Sequence, residues 1–161
     1  MSPNNRSRLI IAATFLAAYI LTSLPGPQWA EQFRPDWVGL VLIYWCMATP
    51  QYVGVTSGWF AGLLLDVLYG SLLGQQALAK ALVAFVAGKL HLRVRVFPRW
   101  QQAAFVLLLL LLNQLLVLWI KGITGESPAR LTYWTSSVVA MVIWPWIFII
   151  LRDVRRRGHV N

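Results

Sequence analysis

Two ionisable side chains lie inside long apolar stretches of the chain, the carboxylate of Asp66 and the ammonium group of Lys80. A charge in the apolar part of a bilayer is costly unless it has a partner or a wet cavity. If these stretches cross a membrane as successive helices, the two residues reach a similar depth. We therefore predict a structural ion pair between Asp66 and Lys80. The alternative is a shared outward-facing cavity that holds a proton or a ligand.

Other groups that could carry chemistry are too few or too far apart. Ser136 and Ser137 lie near the start of the last apolar stretch, whereas His91 and His159 are expected at the opposite face of the membrane. A serine nucleophile needs a base within hydrogen-bond reach, so we predict no hydrolase triad. Two separated histidines and the single Cys46 do not make a metal site, and the chain contains no P-loop. The sequence thus predicts a protein that is not an enzyme and has no cofactor.

Asp66 also belongs to a series of small residues spaced four apart: Gly54, Gly58, Gly62, Asp66, Gly70 and Gly74. Residues at this spacing share one broad face of a helix, and small residues let two helix backbones approach closely in a membrane. We predict that the first three glycines of the series are packing positions of one helix against a neighbour. The last two are predicted to be loop glycines at the outer end.

The elements that must position these residues are membrane helices. The chain has 161 residues, of which 58% are hydrophobic and 12% are charged, and its formal net charge is +9. A soluble protein this apolar would need a larger core than a chain of this length can build. The positive charge is better explained by cytoplasmic loops than by a nucleic-acid-binding surface.

Six apolar segments predict an all-α integral membrane protein, a bundle of six transmembrane helices in a single domain over residues 1–161. The first is interpreted as an uncleaved membrane helix because no cleavage pattern follows it. The second is short for a span, which typically needs about 20 residues. The predicted helices are 9–24, 36–49, 51–68, 76–92, 101–120 and 131–151.

Polar residues and a proline within these segments predict local contacts. Asn113 and Gln114 lie in the fifth segment and are expected to hydrogen-bond between helices, with a substrate contact as the alternative. Pro145 lies inside the sixth segment and is expected to kink it, because proline lacks the amide donor.

Basic residues predict the orientation. With six spans, the side that holds both termini receives ten basic residues and the other side only Arg34, Lys121 and Arg130. Both termini are therefore expected in the cytoplasm. Six arginines are predicted to anchor this topology and bind anionic lipid headgroups, with docking of a cytoplasmic partner as the alternative for the C-terminal tail. They are Arg93, Arg95, Arg99, Arg155, Arg156 and Arg157.

The order of several motifs resembles a known family. Phe33–Trp37 and Tyr44-Trp45 precede the glycine series, and three further motifs follow it: Arg99–Ala103, Tyr133–Val139 and Trp144–Trp146. This order resembles the rod shape-determining protein MreD in its proteobacterial form, over almost the whole chain. Lys80 is not part of that pattern, so the Asp66–Lys80 pair is a prediction for this chain alone.

The resemblance implies a multi-pass protein of the bacterial inner membrane that belongs to the elongation machinery. It implies direct binding to MreC, and a complex that includes MreB, RodA and the elongation-specific penicillin-binding transpeptidase. It also implies a role in lateral peptidoglycan synthesis and rod shape, no established catalytic residues, and a fold similar to the substrate-binding components of vitamin transporters.

Two functions follow as hypotheses. The first is a scaffold that binds MreC and positions the wall synthase. The second is a membrane-embedded component that binds a small molecule or vitamin for a transporter, with a pocket lined by Asp66 and Lys80. The second would need a separate ATPase subunit, because this chain has no P-loop.

Overall fold

The computed structural model describes residues 3–24, 26, 34–50, 52–70, 74–123 and 134–158. These residues form six α-helices and no strand. The helices are α1 (Pro3–Ser23), α2 (Trp37–Ala48), α3 (Val55–Tyr69), α4 (Gln75–Arg95), α5 (Arg99–Ile123) and α6 (Thr135–Arg157).

The helix ends differ from the predicted ends for local reasons. α3 begins at Val55 and not at residue 51, because the amides of Tyr52 and Val53 donate to the carbonyl of Thr49 and form a turn. Three helices extend beyond their predicted apolar segments into arginine-containing sequence: α4 ends at Arg95, α5 begins at Arg99 and α6 ends at Arg157. Hydropathy marks where a helix can be buried in lipid, whereas backbone hydrogen bonding continues into polar sequence. The predicted start of the sixth helix, at residue 131, lies outside the described residues.

Helix α2 lies at the centre of the bundle and packs against α1, α4, α5 and α6. Every side of it is covered, since residues 38–47 are all buried. A helix that is apolar all round belongs in such a position. The indole Nε1 of Trp45 donates to the Thr14 hydroxyl of α1 at 2.8 Å, which satisfies the polar atom of a fully buried tryptophan.

Helices α3 and α4 form an antiparallel pair with very close backbones. A Cβ atom added at Gly58 would lie 2.7 Å from the carbonyl oxygen of Lys80, and one added at Gly62 would overlap the backbone of Gln76. Gly54 has no such neighbour within 4 Å and precedes α3 in an extended conformation, so its predicted packing role is wrong. The four-residue spacing continues past the point where the helix begins, and spacing alone does not reveal that point.

The other two glycines of the series flank the connection between α3 and α4. Gly70 ends α3 with a φ angle of 66°, and Gly74 precedes α4 with a φ angle of 101°. Both values lie in the left-handed region, which favours glycine because it has no Cβ.

The helix ends that carry the arginines gather at one end of the bundle. Arg95, the last residue of α4, donates hydrogen bonds to the carbonyls of Met47 and Ala48 at the end of α2. The Arg99 guanidinium at the start of α5 lies 5.5 Å from the ring centre of Phe148 in α6. α6 continues without interruption through Pro145, and a kink there stays a prediction.

Three helices of the described chain are long and apolar enough to cross a membrane: residues Asn5–Ser23, Arg99–Ile123 and Thr135–Arg157. Two shorter apolar helices cover Trp37–Ala48 and Val55–Leu68.

Candidate functional site

Lys80 lies in the second turn of α4 and is only 1% exposed. Its ammonium nitrogen is 2.5 Å from Oδ2 of Asp36 and donates to Oδ1 of Asn113 at 2.9 Å. A third, longer contact of 3.5 Å reaches Oε1 of Gln76, one turn earlier in the same helix. An ammonium group has three hydrogen atoms to donate, so these three acceptors use its whole capacity.

Asp36 has two functions at the start of α2. Its Oδ1 accepts a hydrogen bond of 3.0 Å from the amide of Gly39 and so caps the helix, while Oδ2 binds Lys80. The Asp36 side chain remains 25% exposed, whereas its partner is buried. The pair therefore ties the second turn of α4 to the first turn of α2.

Asp66 binds backbone amides. Its buried carboxylate accepts hydrogen bonds from the amides of Gly74 at 3.0 Å, Gln76 at 2.9 Å and Ala77 at 3.4 Å. These amides belong to the N-terminus of α4, where free N–H groups and the helix dipole stabilise a negative charge.

The predicted Asp66–Lys80 ion pair is therefore wrong, and Lys80 pairs with Asp36. Asp66 and Lys80 do lie at the same end of the bundle, as their similar depth on neighbouring helices predicted. However, the Asp66 carboxylate lies over the first amides of α4, and those donors take the place that the prediction gave to Lys80. The sequence carried a signal for Asp36, because an aspartate just before an apolar helical segment is a typical N-cap.

Asn113 and Gln114 extend the polar contacts through α5. Asn113 accepts from Lys80 on α4. Nε2 of Gln114 donates to the Ser136 hydroxyl of α6 at 2.8 Å, and Oε1 of Gln114 accepts from the Ser137 hydroxyl. Together these groups form what we call the polar cluster, which joins α2, α3, α4, α5 and α6. Its members are Asp36, Asp66, Gln76, Lys80, Asn113, Gln114, Ser136 and Ser137.

The polar cluster joins helices, and none of its members lines either of the two cavities found among the described residues. Two described cavities lie elsewhere. An apolar groove of about 430 Å³ between α1 and α3 is lined mainly by residues such as Phe15, Ala61 and Leu64. A second cavity of about 280 Å³ lies at the arginine-bearing end. The described residues contain no group of three side chains with the ligand types of a metal site.

The structure separates the six predicted anchor arginines. Arg95 and Arg155 line the second cavity. Only Arg155 is half-buried. The other five are exposed: Arg93, Arg95, Arg99, Arg156 and Arg157. Arg157 forms a solvent-exposed ion pair with Asp153, one turn earlier in α6.

Substitution of Asp66 by asparagine is expected to lower the free energy of unfolding by about 1–2 kcal/mol. The amide keeps the size of the side chain but replaces one acceptor oxygen by a donor that faces the N–H groups of α4. The measurement is unfolding of the purified protein in detergent, followed by loss of helical circular dichroism. Asp153→Asn is the matched control, since Asp153 is 58% exposed and its loss should change stability by at most about 0.5 kcal/mol. Equal stability of the two variants would contradict the capping role.

Comparison with known proteins bears on the whole chain. Residues 5–154 match the family described as rod shape-determining protein MreD. Rod shape-determining protein MreD of Haemophilus influenzae is 29% identical over 154 residues, which cover 94% of this chain and 93% of that protein. No solved structure matches the chain.

Proposed function

Because the chain belongs to the family of rod shape-determining protein MreD, we propose that it is a non-enzymatic inner-membrane component of the bacterial elongation machinery. It binds MreC and helps to organise lateral peptidoglycan synthesis. The observation that carries this proposal is the set of contacts made by the two buried charged side chains. Asp66 and Lys80 are both engaged in holding helices together, which suits a rigid scaffold and leaves neither group open to a substrate.

The proposed topology has six spans with both termini in the cytoplasm. It is supported by the gathering of the arginine-bearing helix ends at one end of the bundle. The short α2 agrees with this topology, because it is surrounded by other helices and only its ends need to reach polar surroundings. A likeness of fold to the substrate-binding components of vitamin transporters stays a prediction.

The absence of catalysis is also a proposal, and the positions of the hydroxyl groups support it. Ser136 and Ser137 are hydrogen-bonded to Gln114 in the polar cluster. The ring of His91 contacts the carbonyl of Gly88 near the arginine-bearing end, far along the bundle from those serines. A hydrolase of the serine type requires nucleophile and base to meet.

The transporter hypothesis receives less support. It places a pocket around Asp66 and Lys80, yet neither residue lines the apolar groove or the cavity at the arginine-bearing end.

MreB, RodA and the elongation-specific penicillin-binding transpeptidase are proposed as further members of the same complex, with MreC as the direct contact.

The proposal is tested by purification from membranes after co-expression with MreC from the same genome. We expect MreC to elute with this chain, and an unrelated single-span membrane protein at the same level to be absent. A photoreactive amino acid can then replace exposed apolar residues on different helices, one at a time: Leu16, Leu64, Leu108 and Val142. A cross-link to MreC from at least one helix face is expected. Recovery of ATPase subunits without MreC would overturn the scaffold and favour the transporter.

A further inference from the structure

The cavity at the arginine-bearing end is enclosed by four helices. Tyr44, Met47 and Ala48 come from the last turns of α2, and Gln102 comes from the first turn of α5. The remaining lining residues are Arg95 at the end of α4, and Phe148 and Arg155 of α6. We call this space of about 280 Å³ the basic-end cavity. Its position at the ends of helices places it at the boundary between lipid and water.

Two buried polar atoms of this cavity lack a partner among the described residues. The hydroxyl of Tyr44, a residue only 2% exposed, makes no hydrogen bond. The Gln102 side chain, in a residue 4% exposed, donates through Nε2 to the carbonyl of Val94 at 3.0 Å, but its Oε1 accepts nothing. Buried polar groups are nearly always paired with protein, water or a ligand, so an unpaired donor and an unpaired acceptor beside one cavity indicate that a polar partner occupies it.

The same cavity is strongly positive. Nε and Nη2 of Arg95 donate to the carbonyls of Met47 and Ala48, which fixes the guanidinium in place. Arg155 makes no hydrogen bond or ion pair with any described residue. Arg95 and Arg155 both line the cavity, and no carboxylate is found among its described lining residues.

We propose that the basic-end cavity binds the phosphate of a ligand that also carries a hydroxyl group. Guanidinium groups suit phosphate oxygens in charge and shape. The Tyr44 hydroxyl donates to a phosphate oxygen, and Oε1 of Gln102 accepts from the ligand hydroxyl. The headgroup of phosphatidylglycerol has both groups, and so has free glycerol phosphate. This proposal is independent of MreC binding.

The test is native mass spectrometry of the full chain in detergent, with added phosphatidylglycerol or phosphatidylethanolamine. We expect clear retention of phosphatidylglycerol over the zwitterionic lipid. Arg155→Gln should weaken that retention about tenfold, and Tyr44→Phe about threefold. Arg157→Gln is the matched control, because the Arg157 side chain is 82% exposed and paired with Asp153 outside the cavity.

Competition by soluble glycerol 3-phosphate distinguishes the two sources of the phosphate. Displacement at comparable concentration assigns the cavity to a free phosphate ester, and failure to displace assigns it to the lipid. Equal retention of both lipids by the wild type would overturn the proposal if glycerol 3-phosphate also fails to bind. So would unchanged binding in both cavity variants. Helical circular dichroism checks that each variant folds, and the partly exposed Arg155 gives a test even if Tyr44→Phe fails to fold.

Discussion

Replacement of Lys80 by methionine is expected to lower the free energy of unfolding by about 2–4 kcal/mol. Methionine preserves most of the apolar stem but removes the ammonium group that joins α4 to Asp36 and Asn113. The Asp36 carboxylate then loses its cation, although it keeps the amide of Gly39 and some contact with solvent. Because Asp36 keeps these contacts, we expect a smaller loss of stability than a fully unpaired buried charge would cause. The measurement is denaturant unfolding in detergent micelles, followed by helical circular dichroism.

Lys89→Met is the matched control on the same helix. Lys89 is exposed, and its nitrogen lies 5.2 Å from the ring centre of Phe85, so its removal should cost at most about 1 kcal/mol. The double variant Lys80→Met with Asp36→Asn should be less destabilised than the sum of the single changes, because the two residues interact directly. If Lys80→Met is as stable as Lys89→Met, the polar cluster does not hold the bundle together.

Substitution of Gly62 by alanine is expected to cost about 3 kcal/mol, near the upper end for overpacking. The added methyl group would overlap the backbone carbonyl of Gln76 and the Cα of Ala77. A backbone cannot rotate away as a side chain can, so α3 and α4 must move apart. That movement also disturbs the amides that bind Asp66.

Gly88→Ala on α4 provides a control in which the change in stability is expected to have the opposite sign. No atom lies within 4 Å of a Cβ at Gly88, and alanine is the better helix former by about 1 kcal/mol. The control variant should therefore unfold at the same temperature as the wild type or higher, whereas Gly62→Ala should unfold well below it. A small effect at Gly62 would show that the two helices are not packed at backbone distance.

The glycine series shows what residue spacing can and cannot predict. Spacing identified Gly58 and Gly62 as contact positions, because one face of a helix follows directly from the helical period. It also included Gly54, which lies in an extended segment before α3 begins. Where a helix starts depends on the turn formed by Thr49 and the residues after it, and that turn has no periodic signature.

The candidate site was predictable as a set of residues, but its pairing was not. Hydropathy identified the buried Asp66, Lys80, Asn113 and Gln114, because polar residues stand out in apolar segments. The partner of Lys80 came from Asp36, which precedes α2 and was predicted only as a helix boundary. Pairing depends on how α2 lies beside α4, and a linear sequence does not give the order of helices around a bundle.

The basic-end cavity was missed for a similar reason. Arg95 and Arg155 were predicted as anchors of topology, and Gln102 was part of a family motif, but they are far apart in sequence. Only the arrangement of four helix ends brings them to one space with Tyr44.

The Lys80–Asp36 pair also has a consequence for biosynthesis. In the proposed six-span topology α4 crosses the membrane. An unpaired lysine opposes insertion of such a helix by about 2.5–3.5 kcal/mol at the helix centre and by less near an end, where Lys80 lies. Ribosomes make the N-terminal part of a chain first, so Asp36 is already present when the segment that contains Lys80 emerges. Asn113 follows only 33 residues later. The order of synthesis therefore supplies the counter-charge before the cation must leave water. The last acceptor, Asn113, arrives with α5, the helix that is made directly after α4.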